Sequence, residues 1–470
     1  MIVMKFGGTS IQDAAAIKQV AEIVRTRLSR RPVIVVSAMA GVTDALIRCA
    51  EEAHQGHEQE ALQQLDALTA RHLKTSKELI QDPSHQRRLN DAIESHSQEI
   101  QMLLRGLALL GELTPRSLDA VAAYGERLSS LLLVEALRSR ELEAEWADAR
   151  EWMITDDQFT RANPLMDPCS NRARELISPL LKKGKIPVTQ GFIGATQDGR
   201  TTTLGRGGSD YSAAVLGALL DAEEVEIWTD VNGVMTADPR IVPEAHTISQ
   251  LSYAEAAELA YFGAKVLHPK TILPAIERGI PLRILNTFSP EKTGTRIVRQ
   301  VCNDGRTVKA ITAIRGLSLV TVEGRGMLGV PGVAAKVFTA VARESVNVLM
   351  ISQSSSEQSI CFVVETGSAA RALKALHEAF ELELARRNID RIEAQEGVAI
   401  VAVVGAGMRG TPGIGAKVFG ALGHSQINVI SVAQGSSEHN LSLVVREEDA
   451  SKAIREIHQE FQLGKVSQAA

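Results

Sequence analysis

Near its end the chain repeats itself, and this narrows what it can fold into more than any other feature. Gly324-Arg-Gly-Met-Leu-Gly-Val-Pro-Gly332-Val-Ala-Ala-Lys-Val-Phe338 returns 81 residues later as Gly405-Ala-Gly-Met-Arg-Gly-Thr-Pro-Gly413-Ile-Gly-Ala-Lys-Val-Phe419. The match runs on without a gap. Asn347-Val348 corresponds to Asn428-Val429, Gln353-Ser-Ser-Ser-Glu357 to Gln434-Gly-Ser-Ser-Glu438, and Val363-Val364 to Val444-Val445. A tandem duplication of this length implies two copies of one supersecondary unit. Each copy reads strand, glycine-rich loop, helix, strand, turn, strand, helix: a small α+β unit. Both glycine loops also fit GxGxxG, the dinucleotide fingerprint, which calls for an acidic residue about twenty positions on. The equivalent stretches, Val346–Ile351 and Ile427–Val432, hold no acid. The loops therefore read as a pair of effector loops.

The N-terminal region has a different pattern. Met1–Phe6 is a short apolar strand that runs into Gly7-Gly8-Thr9-Ser10. Asp13–Leu28 carries Ile17, Val20, Ile23, Val24 and Leu28 at helical spacing. Pro32–Val36 is then an apolar, β-branched run, the mark of a strand buried on both faces, and it ends in Ser37-Ala38-Met39-Ala40-Gly41. Two strands thus release the chain into loops of small residues, at the edge where open α/β sheets bind ligands. From about Asp44 to Arg140 the chain is polar and helical. Thr114-Pro115 opens a helix whose apolar stripe is Leu118, Val121, Ala122, Gly125, Leu128 and Leu132. Strands resume at Ile186–Val188 and Val225–Trp228, around a glycine-rich segment Gly191–Tyr211. The fold expected is a three-layer α/β domain ending near Val298.

A length of 470 residues suggests roughly three domains. The net charge of −5 offers no pull toward nucleic acid or an anionic membrane. Cys49, Cys169, Cys302 and Cys361 are widely spaced, as in a reducing compartment. The start, MIVMKFGGTS, lacks a signal-peptide pattern, and no apolar run is long enough to cross a bilayer. A cytoplasmic location is expected.

Individual motifs leave alternatives open. Lys5-Phe-Gly-Gly-Thr-Ser10 offers a cation, bare amides and hydroxyls ahead of a helix, which suits a polyphosphate, or forms a tight strand-to-helix turn. Gly205-Arg-Gly-Gly-Ser-Asp210 exposes amides around an arginine able to grip a carboxylate or phosphate, or is a hydrophilic loop. Trp228–Arg240 carries turn chemistry twice and reads as a surface loop. Phe262–Pro269 sets Lys265 beside His268, for capping or for a ligand. His54-Gln-Gly-His57-Glu58 has the look of a metal-site fragment without further ligands, and reads as solvated loop. No GxxxxGK[ST] sequence occurs, which excludes a Walker-type loop.

Taken in order, KFGGTS at 5–10, VSAMAGVTD at 36–44, GER at 125–127, GRGGSD at 205–210, WTDVNGV at 228–234, DPR at 238–240 and FGAKVLHP at 262–269 resemble the motif series of aspartate kinases. The repeat resembles the paired ACT modules of that family, so the likeness covers essentially the whole chain. It implies an α/β chain: an amino-acid-kinase-type αβα sandwich at 1–298, with a helical insertion at about 45–140. A linker and shared strand would follow at 299–315, then ACT modules at 316–395 and 396–470. The strand Val308–Ile314 would complete one module. The implied reaction moves the γ-phosphoryl group of ATP, with Mg²⁺, to the side-chain carboxylate of L-aspartate, at the head of lysine, threonine and methionine biosynthesis.

By the same resemblance, Lys5 bridges the phosphates and Asp210 orients it. Gly7, Gly8 and Gly208 supply amides. Arg206 clamps the aspartate α-carboxylate, Glu126 receives its α-ammonium, and Ser37 and Thr43 hold its reactive end. Thr229, Asp230, Arg240, Lys265 and Val266 match nucleotide-binding positions, and no protein metal ligand is implied. Met235 departs from the tyrosine that many relatives carry. Asn347, Gln353, Asn428 and Gln434 are the effector-binding candidates. Gln353-Ser-Ser-Ser-Glu357 and its repeat look most like the threonine-sensitive relatives fused to homoserine dehydrogenase, a domain not expected after Ala470. The effector expected is threonine, with lysine second, in a homodimer or homotetramer joined through the ACT modules. Two rival readings are a related kinase acting on acetylglutamate, glutamate or a nucleotide, and a catalytically dead amino-acid sensor.

Overall fold

A computed structural model of the chain describes residues 1–263, 269–301, 305–354 and 358–465. They fall into two units. One holds Met1–Val234, Ser249–Tyr253 and the described part of 266–301; the other holds Met235–Ile248, the described part of 254–265 and the described residues from 305 onward.

Eleven strands lie in the first unit: β1 Ile2–Phe6, β2 Pro32–Val36, β3 Ala144–Ala147, β4 Ile154–Thr155, β5 Ile186–Gln190, β6 Ile193–Thr196, β7 Thr201–Thr203, β8 Glu224–Thr229, β9 Gln250–Ser252, β10 Leu282–Asn286 and β11 Thr295–Val298. Eight form one sheet in the order β3-β5-β2-β1-β8-β10-β11-β9. From β3 to β10 every pairing is parallel, and only β10–β11 is antiparallel. Every residue of β1, β2 and β5 is buried, as their apolar composition requires of strands covered on both faces. The sequence pattern found β1, β2, β5 and β8. It missed the hairpin inside Gly191–Tyr211, where β6 and β7 pair across Asp198-Gly199, a turn dipeptide with Gly199 at φ +83°.

The insertion is helical throughout: Val42–His54, Glu58–Leu79, Pro83–Leu110, Pro115–Ala122 and Tyr124–Arg138. Thr114 caps as expected, accepting from Ser117 N at 3.1 Å, with Pro115 at the first helical position. The stripe from Leu118 to Leu132 does not lie on one helix, however. The helix is interrupted at Ala123, and Gly125 then packs so closely that an added Cβ would stand 2.7 Å from Ala38 Cβ. That approach carries the next residue, Glu126, to the ends of the sheet strands.

The second unit holds one six-stranded sheet of β12 Ala310–Glu323, β13 Met350–Gln353, β14 Ser359–Glu365, β15 Arg391–Val404, β16 Ser431–Gln434 and β17 Asn440–Arg446, in the order β13-β14-β12-β15-β17-β16. The two long strands serve both repeats. Residues Ala310–Ile314 of β12 pair with Ile400–Val404, and Ser318–Glu323 pair with Arg391–Glu396, with a register shift between. Ile311 accordingly enters the core of the second repeat with Val401 and Val418, while Ile392 of β15 enters the core of the first with Val320 and Val337. The expected completing strand is therefore the first half of a longer one, and the exchange is reciprocal.

This arrangement also explains the GxG in both repeats. A Cβ on Gly324 would overlap Asn388 O, and one on Gly405 would overlap Thr307 O and come within 2.7 Å of Val308 Cα. The glycines admit a crossing backbone, a packing reason for the pattern that needs no dinucleotide. Gly405→Ala is expected to lose about 1–3 kcal/mol of stability, because backbone cannot step aside as a side chain can. Gly423→Ala, in the helix Ile414–His424 with nothing within 4 Å of its Cβ, should instead gain up to about 1 kcal/mol. Denaturant unfolding of the two variants checks both signs.

Candidate active site

Side by side and parallel, β1 and β2 end at Phe6 and Val36, so Gly7–Ser10 and Ser37–Gly41 leave the sheet at the same edge. The two loops touch at Gly8. Its carbonyl accepts from Ala40 N at 3.1 Å, and a Cβ there would lie 3.0 Å from Ala38 O. Arg71, from the helix Glu58–Leu79, ties both loops down by donating to Ala40 O and to Gln12 O, each at 2.9 Å.

Lys5 projects from a fully buried strand, its own side chain 11% exposed, and Nζ lies 2.7 Å from Asp210 Oδ1. Asp210 sits in the first turn of the helix Gly208–Leu219, which Gly207 starts at φ +74°. Negative charge is favoured at that end of a helix. A Cβ on Gly7 would stand 3.5 Å from Lys5 Nζ, so the glycine leaves open space at the ammonium.

Opposite stands Glu126, 3% exposed. One carboxylate oxygen accepts from Ala38 N at 3.1 Å; the other, Oε2, is buried with no hydrogen-bond partner among the described residues. Burial pushes its carboxyl up to about 8, against the pull of the Ala38 amide. A buried carboxylate with one oxygen unpartnered can take up a cationic group that enters the cavity.

These groups enclose a cavity of about 560 Å³. Of the residues singled out in the sequence, it brings together Lys5, Gly8, Ser37, Thr43, Glu126, Arg206, Gly208 and Asp210. Arg206 is exposed, on the turn between β7 and the helix. Thr229 and Asp230 leave the end of β8, the other neighbour of β1, where Gly7 N donates to Trp228 O at 3.0 Å. Arg240 belongs to the second unit, where it is exposed and engages Asp238. Met235 is in that unit too, its sulfur 3.5 Å from the Thr247 hydroxyl. Lys265, Val266 and His268 lie outside the described residues. His57 is exposed and pairs with Glu52 at 2.7 Å.

Asp44, Asp119, Thr160, Phe192 and Thr203 also line the cavity and were missed. Asp44 closes the VSAMAGVTD motif, and Thr203 ends the Thr201–Thr203 run. Nothing in the sequence marks Asp119, Thr160 or Phe192.

In the second unit Asn347, Gln353, Asn428 and Gln434 are all exposed. Gln353 ends β13 and Gln434 ends β16, the two outer strands of the sheet, yet these strands meet: the Ser352 hydroxyl donates to Val432 O at 3.3 Å. The candidates from the two repeats therefore flank one seam.

Residues 1–286 match the amino acid kinase family, and residues 320–380 and 401–461 each match the ACT domain. The lysine-sensitive aspartokinase 3 of Escherichia coli (strain K12) is 37% identical over 97% of this chain and 98% of its own length. The chain belongs to the amino acid kinase family, in its aspartokinase branch with paired ACT domains. A structure of Escherichia coli aspartokinase III with aspartate and ADP superposes with a TM-score of 0.82 at 36% identity, covering 98% of this chain and 99% of that one. Clostridium acetobutylicum aspartate kinase gives 0.83 at 28%, covering 98% and 100%. The chloroplastic bifunctional aspartokinase/homoserine dehydrogenase 2 of Zea mays is 38% identical over 99% of this chain, which spans only 51% of that relative. The chain thus covers about half the length of the bifunctional plant relatives it matches. Among the described residues no helix is long and apolar enough to cross a membrane.

In this chain the burial of Glu126 carries a stability cost. Its folded pKa near 8 lies above the ordinary 4.5, so between those values the folded chain holds a proton that the unfolded chain has lost. Stability therefore falls as pH rises through that window and levels off above about 8. Glu126→Gln removes the slope, and its advantage over the parent should widen from about pH 5 to 8 in unfolding experiments run without ligand.

Proposed function

We propose that the chain transfers the γ-phosphoryl group of ATP to the β-carboxylate of L-aspartate, giving 4-phospho-L-aspartate and ADP. The observation that carries this reading is a single cavity holding the Lys5–Asp210 pair, Arg206 and the cation-free Glu126. Two cations, and among the carboxylates one, Glu126, with a buried oxygen that no donor meets, suit a dicarboxylic amino acid beside a polyphosphate. The relative crystallised with aspartate and ADP supports the choice of ligands.

The aspartate side chain, with a reference pKa near 3.9, is already ionised at neutral pH, so no general base is required. One carboxylate oxygen attacks the γ-phosphorus as its bond to the ADP oxygen breaks, and no proton changes hands. The obstacle is repulsion between two anions, which positioning and charge neutralisation overcome. In this reading Lys5 Nζ spans the β- and γ-phosphates while Asp210 holds its direction. The Gly8 amide would face the phosphate oxygens, whereas the expected amides of Gly7 and Gly208 already donate to Trp228 O and Gly205 O, so those two glycines would give room rather than a donor. Arg206 grips the α-carboxylate, Glu126 takes the α-ammonium, and Ser37 and Thr43 steady the β-carboxylate. Thr229 and Asp230 serve the nucleotide at the end of β8, with Arg240, Lys265 and Val266 assigned to it by family likeness.

The glycine-lined space at Lys5 fits a phosphate chain, and Mg²⁺ bound there supplies charge neutralisation. The ion would be held mainly by phosphate oxygens and water, as Mg²⁺ in phosphoryl-transfer sites usually is.

Threonine is our first choice of inhibitor and lysine the second, bound along the β13–β16 seam near Asn347, Gln353, Asn428 and Gln434. The lysine complex of the Escherichia coli relative keeps lysine in play. A cytoplasmic homodimer or homotetramer joined through the ACT domains completes the reading.

Lys5→Ala should lower kcat by at least about 10²–10³ while far-UV circular dichroism stays that of the parent. Near-normal turnover would remove Lys5 from the mechanism. In a hydroxamate assay for acyl phosphate, added threonine should depress the rate at low concentration and lysine only at higher. Flat curves for both would end the regulatory reading.

A further inference from the structure

The helix Pro115–Ala122 brings to the cavity wall a carboxylate for which the proposed mechanism has no task. Asp119 is 1% exposed. Its hydrogen-bond partners are neutral groups: Thr160 N at 2.8 Å and Thr203 N at 2.9 Å on Oδ2, and the Thr203 hydroxyl at 2.6 Å on Oδ1. Burial raises its pKa above the usual carboxylate range, and the three donors pull it back. A carboxylate buried at such cost, with every donor drawn from two neighbouring segments, holds those segments together.

What it holds is the approach to Arg206. Thr203 is the last residue of β7, and Leu204-Gly205-Arg206 follows directly. Thr160 comes from the loop beneath: Ala162 N donates to Thr203 O at 2.9 Å, and a Cβ on Gly205 would stand 3.0 Å from Thr160 O. Gly208 N then closes the turn on Gly205 O at 3.0 Å. The Arg206 side chain is exposed, so its direction is set by the backbone that carries it. Asp119 is the point at which that backbone is fastened to the helical insertion.

We infer that Asp119 is a positioning residue for the amino-acid substrate, pinning the Thr203–Gly208 turn so that Arg206 meets the α-carboxylate. The inference rests on the proposed reading of Arg206 as the clamp on aspartate. It assigns the bond pattern, rather than the negative charge, as what matters. Asparagine can reproduce the pattern: its carbonyl oxygen takes both amides, and its NH₂ donates to the Thr203 hydroxyl, which becomes the acceptor. Alanine cannot.

Steady-state kinetics on the full chain, varying aspartate at saturating MgATP and then the reverse, test this directly. Asp119→Ala should raise the aspartate KM about tenfold or more while the nucleotide KM stays within about twofold. Asp119→Asn should bring the aspartate KM back to within about threefold of the parent. In an Arg206→Ala background, Asp119→Ala should add almost nothing, because the group it positions is gone. An unchanged aspartate KM in Asp119→Ala, an equal rise in both KM values, or full additivity with Arg206→Ala would each overturn the inference. Should Asp119→Ala fail to fold, Thr203→Val deletes only the hydroxyl bond; a severalfold rise in aspartate KM supports the proposal, and no rise defeats it. A parent chain that phosphorylates aspartate while Asp119 proves indifferent defeats this inference alone, whereas a parent that ignores aspartate defeats the functional reading beneath it as well.

Discussion

A lysine on the central strand of a buried sheet needs a counter-charge, and Asp210 supplies it. Much of the first unit follows from that contact. Lys5 is the penultimate residue of β1, so its partner must arrive at the carboxyl edge of the sheet. Asp210 does so from the first turn of the helix Gly208–Leu219, which brings the open amides of that turn to the same edge. One ion pair thus fixes a strand end, a helix start and a glycine turn around a common space. It leaves an ammonium held rigidly where phosphate charge would have to be met, a preorganised arrangement that needs no rearrangement at the moment of transfer.

The helical insertion forms the opposite wall. Ile47, Leu118 and Ala122 line the cavity from these helices, and three polar side chains on three helices make the specific contacts around it. Arg71 binds the two strand-end loops through their carbonyls, Asp119 binds the turn that carries Arg206, and Glu126 is left with an unsatisfied oxygen. Two of these spend their hydrogen bonds on geometry. The third keeps its capacity for a ligand, at a cost in stability that a ligand's ammonium would relieve.

How much of this could be read from the sequence follows the range of the signals. Lys5, Gly8, Ser37, Arg206 and Asp210 sit in short stretches where glycine, hydroxyl and charge crowd together, and such crowding is visible locally. β1 and β2 were legible because strands buried on both faces are near-continuously apolar, and β5 and β8 through the shorter strand-like runs Ile186–Val188 and Val225–Trp228. β3, with its Glu145 and Trp146, gives no such run, and the Asp198-Gly199 hairpin was hidden by the label of a glycine-rich segment. Asp119 was illegible for a different reason. Its partners are 41 and 84 residues away, and an aspartate on a helix gives no sign of bonding backbone so far along the chain. The interruption at Ala123 was likewise not marked in the sequence, and it lies beside the close approach of Gly125 to Ala38.

The reciprocal use of β12 and β15 bears on how this chain could have changed since its duplication. Deleting either repeat would strip a strand from the survivor and open its apolar core, so the doubled form, once made, has no simple route back. Divergence had to proceed in place, residue by residue. It is visible where Lys336 lies over the Phe380 ring and Lys417 over the corresponding Phe461 ring, yet only Lys336 also faces an acid, Glu383, because Gly464 stands at that position in the second copy. Two descendants of one unit have thus been kept together by shared architecture while free to acquire separate chemistry.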